Sequence, residues 1–170
     1  MVAFLEVGFF PRIHTAIAEW LACMLFILPQ KKRFGESSWQ QIGCCIGFLA
    51  LLLAVLEKRA NQKTYNQDVY INVAGGLELS EPAADLALCM AVVSSLKDAA
   101  IGAEVAVMGE VGLAGEVRAI PQCDRRISEC QRLGFTTILL PKENMRRLKA
   151  PEGMKLVGVD TVMQAISVLF

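Results

Sequence analysis

The chain has 170 residues, 54% of them hydrophobic, with 17 basic and 17 acidic side chains. That length suits one domain of ordinary size with a real core. A net charge of zero excludes general electrostatic capture of nucleic acid or membrane, so either would need a local patch.

Charge is unevenly spread. Residues 1–47 carry seven charged side chains and run heavily apolar, whereas residues 48–170 have the mixture of a soluble domain. The first apolar run contains Glu6 and no basic residue before it, unlike a secretory leader. Ile42–Leu56 is uncharged but falls short of the ~20 residues that span a bilayer, and Ala16–Leu28 holds Glu19. No membrane segment is expected.

Phe48–Arg59 reads as an apolar helix whose terminal Lys58 and Arg59 suit a helix C-terminus. Asp68–Ala74 alternates, with Val69, Ile71 and Val73 on one face and Tyr70 and Asn72 on the other, which predicts a strand ended by Gly75 and Gly76. Pro82 fits the first turn of a helix, where its missing N–H costs nothing, and Glu81 and Asp85 add negative charge at that positive end. The helix Pro82–Lys97 is apolar on nearly every side and must therefore lie at the centre of the fold. Strands are predicted at Glu104–Met108 and Gly115–Ile120, with Gly109, Gly112 and Gly115 serving a bend between them.

Pro121–Leu133 carries an apolar stripe at Cys123, Ile127 and Cys130. Asp124, Arg125, Arg126, Glu129 and Arg132 take the solvated face, with Arg125 and Glu129 spaced to pair at i,i+4. Gly134 closes this helix. Strands at Thr136–Leu140 and Lys155–Val159 follow, and Asp160 is expected to cap a last helix whose Val162, Ile166 and Leu169 face inward. Strands alternating with helices predict a layered α/β domain, a mixed sheet with covering helices.

Six cysteines, at 23, 44, 45, 89, 123 and 130, form no Cys-x-x-Cys pair, so no zinc ribbon is supported. Cys89, Cys123 and Cys130 fall on apolar helix faces and are expected to be buried thiols of a cytoplasmic protein. There is no phosphate-binding loop of the Gly-x-x-x-x-Gly-Lys-Ser/Thr type, and the glycines at 109, 112 and 115 do not match a dinucleotide fingerprint. Neither a cofactor nor a metal is expected in this chain.

Five strings carry a resemblance: Leu51-Leu-Leu-Ala-Val-Leu-Glu-Lys-Arg59, Asn72-Val-Ala-Gly-Gly-Leu77, Glu81-Pro-Ala-Ala-Asp-Leu86, Met108-Gly-Glu-Val-Gly-Leu113 and Gly115-Glu-Val-Arg118. From about Leu49 to Phe170 the chain resembles the Lon-type protease domain, most of all the version at the C-terminus of the RadA (Sms) family of bacterial DNA-repair proteins. Lon-type peptidases use a serine nucleophile and a lysine base, and that lysine must shed its proton near neutral pH. The resemblance places the serine's counterpart at Ala83 and the lysine's at Asp124. Alanine has no lone pair with which to attack a carbonyl, and a carboxylate at the base position has no nucleophile to serve. Ser94 and Ser95 lie roughly 16–18 Å along the same helix at about 1.5 Å per residue, and Arg125 stays protonated. The resemblance therefore implies no catalysis by this chain. The alternatives are an active ATP-dependent Ser-Lys peptidase, which Ala83 and Asp124 argue against, and a small membrane-associated protein resting on residues 1–47.

In that family the domain follows a zinc ribbon and a RecA-like ATPase core, so ATP, Mg and Zn are expected only in those other parts. The resemblance implies a homo-oligomeric ring, a hexamer, with weak DNA contact and no membrane partner. Residues 48–170 are expected to form the Lon-like domain. Residues 1–47 match nothing in the family and are expected to be a non-native or truncated segment; Lys31–Gly35 resembles a motor-domain string but stands too close to the domain. Residues 48–170 hold 13 basic and 14 acidic side chains, so only clustered charge would hold a phosphate backbone. The candidates are Arg118, Arg125, Arg126 and Arg132, with Arg146, Arg147 and Lys149 further on; Arg125 and Arg132, two turns apart, share a face.

Overall fold

The structure, a computed structural model, describes residues 23–29, 45–65, 67–73 and 81–170. The expected break at Gly75 and Gly76, the Lys31–Gly35 string and Ser80 lie outside them.

In chain order, β1 (Cys23–Pro29) pairs antiparallel with β2 (Gln67–Val73), in register from Cys23↔Val73 to Pro29↔Gln67. A strand within residues 1–47 thus joins one from the expected Lon-like span. Between them runs α1 (Cys45–Ala60), which buries Leu52, Val55, Leu56 and Ala60 on one face and keeps Lys58 and Arg59 in its last turn. Asn61 then leaves the helix in the left-handed region. A single 3-10 turn, Pro82–Ala84, leads directly into α2 (Asp85–Lys97), every residue of which is buried from Asp85 to Ser94. The all-round apolar sequence predicts such burial, and the structure has it.

Beyond α2 come β3 (Val105–Val107), the short antiparallel hairpin of β4 (Glu110–Val111) and β5 (Val117–Arg118), and α3 (Cys123–Arg132). β6 (Thr137–Pro141), the brief α4 (Lys142–Met145), β7 (Lys155–Val159) and α5 (Val162–Leu169) complete the chain. β3, β6 and β7 form a parallel sheet in that order.

Side-chain alternation along β6 divides the core into two layers. Leu139 packs with α1, α2 and α5 through Leu56, Met90, Val93, Val162 and Ile166. Its neighbours Ile138 and Leu140 point the other way, into a cluster with Ala106, Cys123, Ile127 and Cys130. The parallel sheet therefore lies between α3 on one side and α1, α2 and α5 on the other, the layered α/β arrangement the sequence predicts.

The structure corrects three expectations in detail. The bend expected between Gly109 and Gly115 contains a strand, in which Glu110 and Val111 pair with Arg118 and Val117. α4 has no counterpart among the predicted elements. The cap of α5 is Thr161, whose hydroxyl accepts from the Gln164 N–H at 3.2 Å; Asp160 stands one residue earlier and pairs with Lys142 at 2.8 Å.

Glycine is required at Gly115 twice over. Its φ is +82°, and a Cβ there would lie 2.9 Å from the Cβ of Arg59. Gly134 ends α3 at φ +88° with open space around it. Gly115→Ala should therefore destabilise the chain by roughly 2–3 kcal/mol, and Gly134→Ala by about 1 kcal/mol, because only the former adds a clash to the backbone strain. Urea unfolding midpoints of the two variants, compared with the parent, check that order.

Candidate functional site

The start of α2 is where the Lon-type resemblance places its first site residue. A helix opening inside a core leaves backbone N–H groups that need partners. Here the loop before β4 supplies them: Leu86 N–H donates to the Gly109 carbonyl at 3.0 Å, and Gly109 N–H donates to the Ala83 carbonyl at 2.9 Å. The same loop holds the sheet through Met108 N–H, which donates to Leu139 O at 3.0 Å. A Cβ on Gly109 would lie 2.9 Å from Val117 Cγ1 and 3.3 Å from Leu86 Cδ2, so no larger residue fits the approach. Ala83 is 4% exposed and packs in the cluster that holds Met108, Cys123 and Ile127.

Asp85, expected to add negative charge at the start of this helix, stands in the first turn of α2 and is buried there. It is 3% exposed; Oδ2 accepts from Val111 N–H at 3.1 Å, and Oδ1 has no hydrogen-bond partner. Burial pushes its carboxyl up to about 6, the Val111 N–H pulls it back in part, and the charges of Glu110 and Glu81 push it up further. The sequence signal was available, since an acid opening an apolar helix is buried with it. What it bonds, 26 residues away, was not.

On the other side of the sheet, α3 buries the predicted stripe of Cys123, Ile127 and Cys130. Gln122 precedes it in the left-handed region at φ +54°. Asp124 is exposed and lines a solvent-open cleft of about 190 Å³ with Gln122, Cys123, Asn144 and Arg147. Asn144 ties the cleft together: its Nδ2 donates to Ile120 O and its Oδ1 accepts from Ile120 N–H, each at 2.9 Å. Sequence reasoning missed this clamp, which lies in the unforeseen α4.

Ala83 and Asp124 thus stand on elements that share one core cluster, the first buried and the second at a cleft rim. A further tie joins those elements, since Arg126 of α3 pairs with Glu81 at 3.1 Å. The described thiols are not activated. Burial pushes the thiols of Cys123 and Cys130 up to about 11 and that of Cys89 still further. All three cysteines are free, as expected. Ser94 donates its hydroxyl to Ala99 O at 2.6 Å.

The four candidate arginines do not form one patch of free charge. Arg118 sits on β5 and binds both Glu110 at 3.3 Å and Glu116 at 2.6 Å. Arg126 has a side chain only 12% exposed, held by Glu81 and by Pro121 O at 3.2 Å from its Nε. Arg132 pairs with Glu129, correcting the expected Arg125–Glu129 pair. Arg125 is exposed on α3, and Arg146, Arg147 and Lys149 are exposed after β6.

Residues 50–169 match the family described as the Lon protease (S16) C-terminal proteolytic domain. The chain belongs to that family. Among curated relatives it is similar to "DNA repair protein RadA" of Escherichia coli (strain K12), 47% identical over 120 residues, or 71% of this chain and 26% of that protein. The protein of the same name from Aquifex aeolicus (strain VF5) is 48% identical over 122 residues, 72% of this chain and 27% of the relative. That of Streptococcus pyogenes serotype M1 is 39% identical over 137 residues, 81% and 30%. The chain therefore spans less than a third of the length of these relatives. Among the described residues, no helix is long and apolar enough to cross a membrane, and no group of His, Cys, Asp and Glu is placed to hold a metal ion.

In this Lon-type domain, Asn144→Ala would strand the Ile120 N–H and carbonyl beside the cleft. It should cost about 1–3 kcal/mol, the penalty for unpaired, partly buried polar groups, read as a lower thermal midpoint of the full chain.

Proposed function

We propose that this Lon-type domain is non-catalytic and serves in a RadA-type DNA-repair protein of the cytoplasm, where it contributes to a homo-oligomeric ring, a hexamer by resemblance, and to DNA contact. The observation that carries the reading is the residue at the nucleophile's counterpart. Ala83 is buried, its carbonyl is engaged by Gly109, and the thiol that shares its cluster, Cys123, is pushed up to about 11 by burial. Asp124, at the lysine's counterpart, is an exposed acid. Loss of a nucleophile alone costs on the order of 10⁶ in rate in a serine protease. The similarity to proteins named for DNA repair supplies the rest of the reading.

The full chain should therefore hydrolyse no unstructured protein above blank. Ala83→Ser alone should also be inactive, because Asp124 cannot replace a deprotonated lysine as base. Casein cleavage by the parent chain would refute the reading.

For DNA, the proposal rests on α3 and the segment after α4. Arg125, together with Arg146, Arg147 and Lys149, offers exposed cations. Arg132 is paired with Glu129 at the surface, where an ion pair is worth at most about 1 kcal/mol and yields readily to a phosphate. Arg118, flanked by two carboxylates, and Arg126, locked to Glu81, are the weaker candidates of the four. Binding should be sequence-independent, with log affinity falling against log salt at about −0.9 per phosphate neutralised. Replacing Arg125 and Arg132 by Ala should flatten that slope by about one unit for each arginine that neutralises a phosphate, while Arg118→Ala leaves it unchanged. A slope that the double replacement does not alter would remove α3 from the DNA surface.

A further inference from the structure

The β4–β5 hairpin lies across the start of α2, and its attachment there uses few groups. Gly109 exchanges backbone bonds with Ala83 and Leu86, and Val111 N–H reaches Asp85 Oδ2 at 3.1 Å. The ladder itself has only the two pairs Glu110↔Arg118 and Val111↔Val117. The far side of the hairpin is pinned separately, by Val117 N–H to Asp160 O at 2.8 Å and Val162 N–H to Gly115 O at 2.9 Å. β4 is held by those two pairs, by Gly112 N–H donating to Glu116 O at 2.9 Å and by the buried Val111, while α2 beneath it is buried along most of its length.

Val111 packs its side chain into the core cluster of α2, and the side-chain hydrogen bond that ties β4 to α2 is accepted by a carboxylate whose other oxygen is buried and unpartnered. Such an oxygen gains water when β4 lifts, and it gains most when it is charged. No cation faces it. From β4 it meets Glu110, which Arg118 of β5 engages; from the turn before α2 it meets Glu81, which Arg126 of α3 engages; from its own helix it meets the Cys89 thiol one turn on.

From this geometry we infer that Asp85 is a proton-operated latch: β4 stays closed on α2 while the carboxyl is protonated and opens locally once it ionises. A carboxyl held above its unfolded value of 3.8, up to about 6, favours the closed form fully below 3.8, and that advantage is lost as pH rises through about 6. The backbone N–H of Glu116 itself and then Arg118 hold the Glu116 carboxyl below its ordinary value, and Arg132 does the same for Glu129. The inference does not depend on the DNA-repair reading; it concerns this chain's own equilibrium.

Amide hydrogen exchange on the full chain, followed from about pH 4 to about pH 7.5 and corrected for intrinsic rates, tests it. The opening constant of the Val111 amide should grow on the order of 100-fold and level off above about pH 6.5. Amides inside α2, from Leu88 to Val93, should not follow it. In Asp85→Asn, which keeps an oxygen for Val111 N–H but cannot ionise, the Val111 profile should be flat. A second measurement covers the case in which that variant fails to fold: the side-chain carboxyl carbon of Asp85 in the parent chain should titrate near 6 by NMR. A flat Val111 profile in the parent, a parallel loss across α2, or titration of Asp85 near 4 would each overturn the latch.

Discussion

The exchange of backbone bonds among Ala83, Gly109 and Leu86 is the constraint on which the rest of this domain depends. A helix buried on every side cannot begin in water, so its opening N–H groups must find partners in another segment. The loop before β4 provides one, and only because Gly109 has no Cβ to collide with Val117 and Leu86. The consequence spreads outward. Met108, next to Gly109, is bonded to Leu139 of the central sheet strand, so fixing the start of α2 also fixes the distance from that helix to the sheet. The hairpin then lies over the junction, and its far strand docks on the β7–α5 connection.

That arrangement shows how the frame of a Lon-type site can stand without its nucleophile. In the non-catalytic reading, Ala83 loses the hydroxyl but keeps every backbone role: its carbonyl receives Gly109 N–H, and its methyl fills a place among Met108, Cys123 and Ile127. A small residue is needed there for packing whether or not it reacts. Asp124 is under no such constraint, because it stands at the rim of a solvent-open cleft. The two positions therefore differ in what they tolerate: the first is held by the fold, and the second is free to carry charge.

Long elements with strong periodicity were legible in the sequence. α2 declared its burial by being apolar all round, and α3 declared its inner face through Cys123, Ile127 and Cys130. The failures fall on short elements and long-range partners. β4 has two residues and α4 four, too few to show any period. Asp160 and Thr161 are both good caps, and only the geometry of Gln164 decides between them. Arg132 rather than Arg125 takes Glu129 because spacings of three and four both bring helix side chains together. The frame of the candidate site was readable through resemblance, but the clamps that hold it, Asn144 on Ile120 and Asp85 on Val111, join residues 24 and 26 apart. No local pattern encodes such pairs.

The arginines show why a count of charges is a poor guide to a surface. Residues 48–170 are nearly neutral, and Arg118, Arg126 and Arg132 already face carboxylates. The environments still differ in kind. The Arg126–Glu81 pair joins two elements around the start of α2 and is largely shielded, so breaking it disturbs the fold. The Arg132–Glu129 pair lies within one exposed helix and holds nothing else in place, so Arg132 can turn to a phosphate at little cost. Arg118 binds two acids at once and would leave both uncompensated if it turned away. The same residue type is therefore structural at 126, neutralised at 118 and available at 125 and 132. Arg125 and Arg132 lie two turns apart on α3, the face that the proposed DNA contact would use.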